Sequence, residues 1–496
     1  MAELAEPIPA TAPRAPQAAA RLGWRARIGG WSALRRFVLV LFVLYVAKQG
    51  IFVLAFRPFT GHDEVAHYAY LRTVATEHRV PELLVDRLPD ELYRYCPYVL
   101  NWDTCQPTDP RWLADPPNWW PYLGAGSHRV GMQYGANHPP LYYILMTPLY
   151  WLSDGESVVV QQYLLRLAAI PFGLLTVFFA YRTARALFPN DGFLAVTVPT
   201  FVAFQPQISY EAAMVNSDIV AIALYSWILY LLVVGVRDRF PARTCVLLGF
   251  ALGLALLAKG TSLTAAPIIA GALVLGVGWR HVREWLTKGA IVAGVAAALA
   301  WPWFLFLWRT YGNLSGLDQV AELQWWNYWN RSKPGFFDLL FNRDFVVMRF
   351  HETWGYFGWR DIPLDTTLLW AIAVPMLLCV GGLVQYVVTA RPGPDPAEPD
   401  PVLRPRRWQV TALLVLVATV AVAYLAVVQF GTRFMLTQAR YYFPAVNAAA
   451  LLLMLGLRTL VPRSAHTLTQ GVVFAALLLL NVLIFTQYVI PHYRAS

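Results

Sequence analysis

Twelve apolar runs follow one another along the chain, and that repetition constrains the fold more than any other feature. The first, Phe37–Phe56, is preceded by Arg35 and Arg36. The others lie near 140–152, 162–181, 193–208, 213–235, 244–258, 262–278, 289–308, 366–388, 409–428, 442–457 and 468–490. A helix needs about 20 apolar residues to cross a bilayer, and most of these runs approach that length. Only 14% of the 496 residues are charged while 57% are hydrophobic, against about 25% charged in an ordinary soluble domain. Too few charges remain to coat a water-soluble surface of this size. The chain reads as an all-α, multi-pass integral membrane protein.

Topology follows from the basic residues. The run at 140–152 is short for a span. If it does not cross, then Arg182/Arg185, Arg237/Arg239/Arg243, Arg280/Arg283/Lys288, Arg391 to Arg407 and Arg458/Arg463 all share the side of Arg35/Arg36. If it crosses, all of them fall on the other side from the N-terminus. The positive-inside rule selects the first arrangement. The expectation is about 11 transmembrane helices, plus one outer juxtamembrane helix at 140–152. No small-residue cleavage site follows Phe56, so the first run is read as an anchored helix rather than a signal peptide.

This topology divides the chain. Residues 1–34, rich in Ala, Pro and Arg, form a disordered cytoplasmic tail. Residues 35–308 form an N-terminal transmembrane catalytic module that includes a large outer loop, 57–138. A second outer loop spans 309–365, and 366–496 holds the C-terminal transmembrane helices. The two loops carry 17 of the 29 carboxylates, so the outer face of a cell (inner) membrane is where chemistry is expected.

The formal charge of +10 does not point to nucleic acid, because the 39 basic residues are scattered among short connections rather than clustered on one face. Only four of them are lysines, which with the abundance of Ala, Val and Leu suggests a GC-rich, bacterial source. Cys245 and Cys379 lie in apolar runs and read as core or lipid-facing filler. Cys96 and Cys105 share the first outer loop and can pair if it faces an oxidising space. Nothing matches a phosphate-cradling glycine loop, a zinc HExxH or a nucleophile elbow.

Several polar residues are expected on the outer rim. Asp63 and Glu64 stand just beyond the first helix, beside lipid, where a carboxyl's pKa tends to rise and suits a general base. His67 is four residues from Asp63 and would share a helical face with it. The bland reading of the pair is a helix start with acids at its positive end. His138 precedes Pro139-Pro140 at the membrane lip, where the prolines fix the entry into the short helix. Lys259, between two apolar runs, needs an anionic partner or a snorkelling route to water. Arg440, followed by Tyr441, is either a phosphate-binding guanidinium or part of an interfacial aromatic belt. Glu211, Asn216 and Asp218 lie at the outer start of another span, with Asp218 either binding a partner or capping its helix. The aromatic segments Trp325 to Trp329 and Glu352 to Asp361 suit sugar stacking, but suit lying on the membrane better.

In order and topological side, these motifs resemble those of the GT-C superfamily of membrane glycosyltransferases, which includes the protein O-mannosyltransferases and the lipid A aminoarabinose transferases. The segments that carry the resemblance are Asp63-Glu64, His138-Pro139-Pro140-Leu141-Tyr142-Tyr143, Leu257-Ala258-Lys259-Gly260 and Arg440-Tyr441-Tyr442-Phe443-Pro444. Val215 to Asp218 and Phe357 to Trp359 resemble an uncharacterised bacterial branch. His138 stands where the aminoarabinose transferases carry lysine.

The resemblance implies an inverting transfer of a sugar from a polyprenyl-phosphate-linked donor to a glycan, lipid or protein acceptor at the outer face of the cell envelope. Asp63 would be the base, supported by Glu64 or His67. Lys259 and Arg440 would hold the donor phosphate, with His138, Asp218 and Tyr441 in the same donor site. No cofactor is expected. If a divalent metal were used, as in some members, Asp63, Glu64, His67 and His138 would be its ligands. Two other readings stay open: a lipid-linked glycan transporter or flippase, and a glycan polymerase or ligase.

Overall fold

The computed structural model describes residues 32–89, 91–92, 132–323, 333–393, 400–434 and 437–495. Cys96, Cys105, the Trp325 to Trp329 segment and most of the N-terminal tail lie outside the described residues. Each of the twelve apolar runs contains a helix. In chain order the helices are α1 (Ala33–Ala55), α2 (Glu64–Glu77), α3 (Leu141–Leu152), α4 (Val158–Leu187), α5 (Gly192–Phe204), α6 (Pro206–Glu211), α7 (Asp218–Asp238), α8 (Ala242–Ala258), α9 (Ala265–Val277), α10 (Val282–Tyr311), α11 (Leu317–Leu323), α12 (Phe336–Leu340), α13 (Arg343–Trp354), α14 (Thr366–Thr389), α15 (Arg407–Gly431), α16 (Val446–Leu460) and α17 (His466–Ile484). A π turn, Phe485–Val489, carries α17 on into a last short helix, Ile490–Ala495. Short 3-10 turns, Gly260–Thr264 and Ala439–Ala445, lead into α9 and α16.

Their starts follow ordinary capping chemistry. Ser157, Asp191 and Asp365 each accept a backbone N–H of the first turn of α4, α5 and α14. Among the described residues, nine helical segments are long and apolar enough to cross a membrane. The α5–α6 pair and α8 are shorter, yet they join the same two ends of the bundle as their neighbours. Asp191, before α5, binds Arg458 at the far end of α16 (2.6 Å), whereas Glu211, at the close of α6, binds His62 beyond α1 (2.9 Å). The break at Gln205-Pro206 and the end of α6 leave backbone carbonyls open, and α1 answers them. Lys48 donates to the Ala203 carbonyl and Gln49 to that of Ser209, as a bilayer requires.

Counted with the nine, the α5–α6 pair and α8 bring the described end-to-end segments to eleven, against the about 11 spans expected. The exception, α3, stays at one end: it packs on α2, and the Trp151 indole donates to the Ala75 carbonyl (2.9 Å). The loops 57–138 and 309–365 open at this same end. The second contains α11 to α13 and a two-stranded antiparallel hairpin, β1 (Tyr356–Phe357) with β2 (Ile362–Pro363), in which Tyr356 faces Pro363 and Phe357 faces Ile362. The opposite end carries the basic connections and is pinned by Arg458, which binds Asp191 and, with two nitrogens at 3.0 Å, Asp400. Cys245 and Cys379 are buried free thiols in the helical core.

Candidate active site

The turn after α1 separates the two acidic neighbours. Asp63 has a left-handed backbone (φ 56°) at the head of α2 and does not cap that helix with its side chain. An L-residue adopts this conformation at some cost, which aspartate tolerates better than most. The Asp63 carbonyl still accepts the His67 N–H (3.0 Å), as the i, i+4 spacing suggested, but the two side chains take different partners, His67 Nδ1 lying on the Tyr143 hydroxyl. The Asp63 carboxylate pairs instead with Arg440.

Glu64 is wholly buried. Its two oxygens accept Arg166 Nε (2.7 Å) and Nη2 (2.6 Å), the Val215 N–H (2.8 Å) and the Gly61 N–H (2.9 Å). Arg166 also donates to the carbonyls of Phe56 (2.8 Å) and Arg57 (2.9 Å), closing the end of α1. A Cβ at Gly61 would come within 2.8 Å of the Glu64 carboxyl carbon, so this close approach needs glycine. All acceptor sites of Glu64 face the protein frame, and none faces the cavity beside Asp63.

Arg440, in the 3-10 turn before α16, also reaches Asp218 Oδ2 at 3.3 Å. Asp218 in turn binds the Lys259 ammonium. Lys259 is 5% exposed, so it neither snorkels nor lacks an anion. Helix capping at α7 falls to Asn216, which accepts the Ile219 N–H at 3.3 Å, leaving Asp218 for the cations. The result is a row of alternating sign, Asp63–Arg440–Asp218–Lys259, in which each charge in this low-dielectric setting has an opposite neighbour. The Tyr441 ring lies beside both cations, 5.4 Å from the Arg440 guanidinium and 5.5 Å from Lys259 Nζ.

Burial alone would raise the Asp63 carboxyl, but the charge and hydrogen bond of Arg440, with His62 and His138 nearby, hold it below its usual value. That corrects the raised pKa anticipated from its position beside lipid. His138 lines the cavity, its N–H bonded to the Gly135 carbonyl (3.1 Å) and its own carbonyl to the Tyr70 hydroxyl (3.0 Å). Burial, then the neighbouring His67 and Lys259, push its imidazole well below the ordinary range. His67 lies behind it, ring centroids 5.1 Å apart, with Nδ1 on the Tyr143 hydroxyl (2.7 Å) and Nε2 without a partner among the described residues. Burial, then the Lys259 charge, lower it to about 3, so it is neutral at physiological pH.

Asp63, His138, Lys259, Arg440 and Tyr441 line one cavity of about 430 Å³. Its other wall is apolar and includes Leu256, Trp303, Phe304, Leu307 and Phe430. Leu256, Phe304 and Leu314 also border a second, apolar groove of about 550 Å³ between α8 and α10. Charge at one end and a long apolar wall at the other suit an amphiphile with an anionic head. Among the described residues no group of three His, Cys, Asp or Glu side chains could hold a metal ion. Of the four residues named for that role, Glu64 is committed to Arg166 and Asp63 to Arg440.

Two residues of this region escaped the sequence reading. Arg166 was visible as a lone arginine inside the apolar run 162–181, a placement that generally marks a buried partner. Glu352, described below, carried no local signal.

Residues 137–306 match the family model described as dolichyl-phosphate-mannose-protein mannosyltransferase. The likeness covers about a third of the chain. The matched stretch includes His138, Arg166, Asp218 and Lys259, whereas Asp63 and Arg440 lie outside it. No curated protein matches the chain by sequence. Solved structures similar to it include ArnT from Cupriavidus metallidurans bound to undecaprenyl phosphate. That pair shares 16% identity over 93% of this chain and 74% of the other, with a TM-score of 0.46. The archaeal oligosaccharyltransferase AglB from Archaeoglobus fulgidus, in complex with an inhibitory peptide and a dolichol-phosphate, is 12% identical with a TM-score of 0.47. The match spans 92% of this chain but only 56% of the archaeal protein.

Proposed function

We propose that this protein is a membrane glycosyltransferase of the GT-C type, and that it moves a sugar from a polyprenyl-phosphate-linked donor to an acceptor hydroxyl or phosphate at the outer face of the inner membrane. The observation that carries the reading is the cavity in which two buried cations, Lys259 and Arg440, stand beside a carboxylate at the mouth of an apolar groove. The donor's phosphate would take Arg440 and Lys259, and its isoprenoid chain would follow the groove between α8 and α10. Arginine suits this task because its planar fork matches phosphate oxygens.

Occupation of Arg440 by phosphate frees Asp63 to act as base. The acceptor oxygen attacks C1 of the sugar while Asp63 takes its proton. The C1–O bond to the phosphate breaks, and the charge left on the polyprenyl phosphate is held by the two cations. A single displacement inverts the anomeric centre. His138 lines the acceptor side of Asp63, and Asp218 fixes the relative placement of Lys259 and Arg440. Glu64 and His67 support this arrangement from behind, through Arg166 and Tyr143.

The test is donor turnover by full-length protein in lipid, using a panel of radiolabelled polyprenyl-phosphate sugars with candidate acceptors. Wild type should release sugar from one donor, and Asp63→Asn should lower that rate at least ~10²-fold, the scale of general-base catalysis, while remaining folded. Equal turnover by the variant would remove Asp63 from the mechanism.

A further inference from the structure

Arg440 sits on a short 3-10 turn, entered through an extended residue, Gln438 (φ −128°, ψ 152°), that no helix restrains. Asp63 and Asp218 hold its guanidinium, but the backbone that carries it needs a restraint of its own. The carboxylate of Glu352, on α13, supplies that restraint. Glu352 is 5% exposed. Its Oε2 accepts the backbone N–H of Ala439 (2.9 Å) and stands 2.8 Å from Arg349 Nε, while Oε1 takes the guanidinium of Arg360. The same Arg360 nitrogen donates to the Thr437 carbonyl (3.2 Å). Two backbone groups just before Arg440 are therefore held by one buried ion cluster. Neither Glu352 nor Arg360 lines the cavity that contains Asp63.

The cluster is itself braced. Asn342 caps α13 by accepting the Phe345 N–H (2.9 Å). The Tyr442 hydroxyl donates to the Arg349 carbonyl (3.0 Å), so the far side of the Arg440 turn is tied to the same helix. Beyond α13, Gln207 accepts the Tyr356 N–H (3.0 Å) and the Tyr210 hydroxyl accepts that of Gly358 (3.1 Å). The Tyr210 hydroxyl also donates to the Thr60 carbonyl, three residues before Asp63. Arg360 keeps a left-handed backbone (φ 73°), a strain that persists only where the surroundings impose it. Burying a carboxylate with two guanidinium groups is a poor way to gain stability alone, since desolvation offsets much of the attraction. It is an effective way to fix a direction, and a guanidinium must be well directed to grip phosphate with two hydrogen bonds.

We propose that Glu352 is a positioning residue for Arg440, making the hairpin loop 343–363 a phosphate-orienting element of the active site. This rests on the reading of Arg440 as the donor-phosphate group. The consequence is a specific one: loosening Glu352 should weaken recognition of the phosphate and spare recognition of the chain.

The experiment measures binding of undecaprenyl phosphate and of undecaprenol, which lacks the phosphate, to full-length protein in lipid nanodiscs. Glu352→Gln should raise Kd for undecaprenyl phosphate about tenfold, leave undecaprenol unchanged, and add nothing when combined with Arg440→Gln. Equal weakening of both lipids, or an effect that persists undiminished without Arg440, would overturn the positioning role. If Arg440→Gln alone leaves phosphate binding intact, it is the reading of Arg440 that fails, and the Glu352 proposal falls with it. Should Glu352→Gln not fold, Arg360→Gln opens the same cluster from its other partner and is judged by the same two lipids.

Discussion

Asp63 and Glu64 are chemically alike and adjacent in sequence, yet the left-handed turn at Asp63 gives them unlike surroundings. One touches a cation across a cavity; the other is enclosed by an arginine and two backbone amides. Their substitutions should therefore fail differently. Glu64→Gln leaves Arg166 with an uncompensated buried charge, a loss of about 3–5 kcal/mol, and should lower the thermal midpoint of the detergent-solubilised protein well below that of Asp63→Asn. Asp63→Asn should keep its fold and lose turnover. A Glu64→Gln protein as stable as wild type would show that the clamp on Arg166 is dispensable. The sequence made the acidic pair conspicuous but could not divide the work between its members. That division depends on one backbone dihedral and on Arg166, 102 residues away. Lys259 was legible as a lysine in need of an anion; that the anion is Asp218 depends on how α7 and α8 pack.

At the scale of elements, period and length in the sequence were enough to place every helix of the bundle, because an apolar run in lipid has few alternatives to helix. How closely two helices approach was not legible. Between α14 and α16 the backbones nearly touch: a Cβ on Gly456 would lie 1.9 Å from the Cys379 carbonyl oxygen, and one on Gly382 would lie 2.1 Å from that of Gly456. Small residues permit such contact in membranes, where dispersion and packing rather than hydrophobic exclusion hold helices together. Gly456→Ala should thus destabilise the protein by about 1–3 kcal/mol through overpacking, despite alanine's higher helix propensity. The control is Gly471→Ala in α17, where no atom of the described residues lies within 4 Å of the new Cβ, and that change should be neutral or slightly stabilising. If both variants melt alike, close approach is not what requires Gly456. The hairpin loop is the opposite case. Its aromatic residues suggested a segment resting on lipid, whereas its effective residues are Glu352 and Arg360, whose importance comes only from partners near 437–439.

For the whole molecule, the polar groups at the two ends of the bundle have different characters. The cavity end holds the acidic loops and the row from Asp63 to Lys259. The other end gathers the basic connections and the Arg458 cluster with Asp191 and Asp400. The positive-inside rule was strong enough in the sequence to keep 140–152 from crossing, and α3 indeed lies along α2 at the cavity end. The same rule makes the orientation of the protein testable without any knowledge of its substrate. Glu156, in the exposed turn between α3 and α4, belongs to the cavity end, and Arg283, exposed at the start of α10, belongs to the opposite one. With Cys96 and Cys105 changed to serine, the remaining thiols, Cys245 and Cys379, are buried. A Glu156→Cys variant should then react with a membrane-impermeant maleimide in spheroplasts. Arg283→Cys should react only after the membrane is opened. The reverse pattern would turn the cavity towards the cytoplasm and remove the outer-face donor from the proposed reaction. Labelling of both in sealed spheroplasts would break the eleven-segment topology itself, because the chain from Glu156 to Arg283 runs through α4, the α5–α6 pair, α7, α8 and α9, an odd number of end-to-end segments.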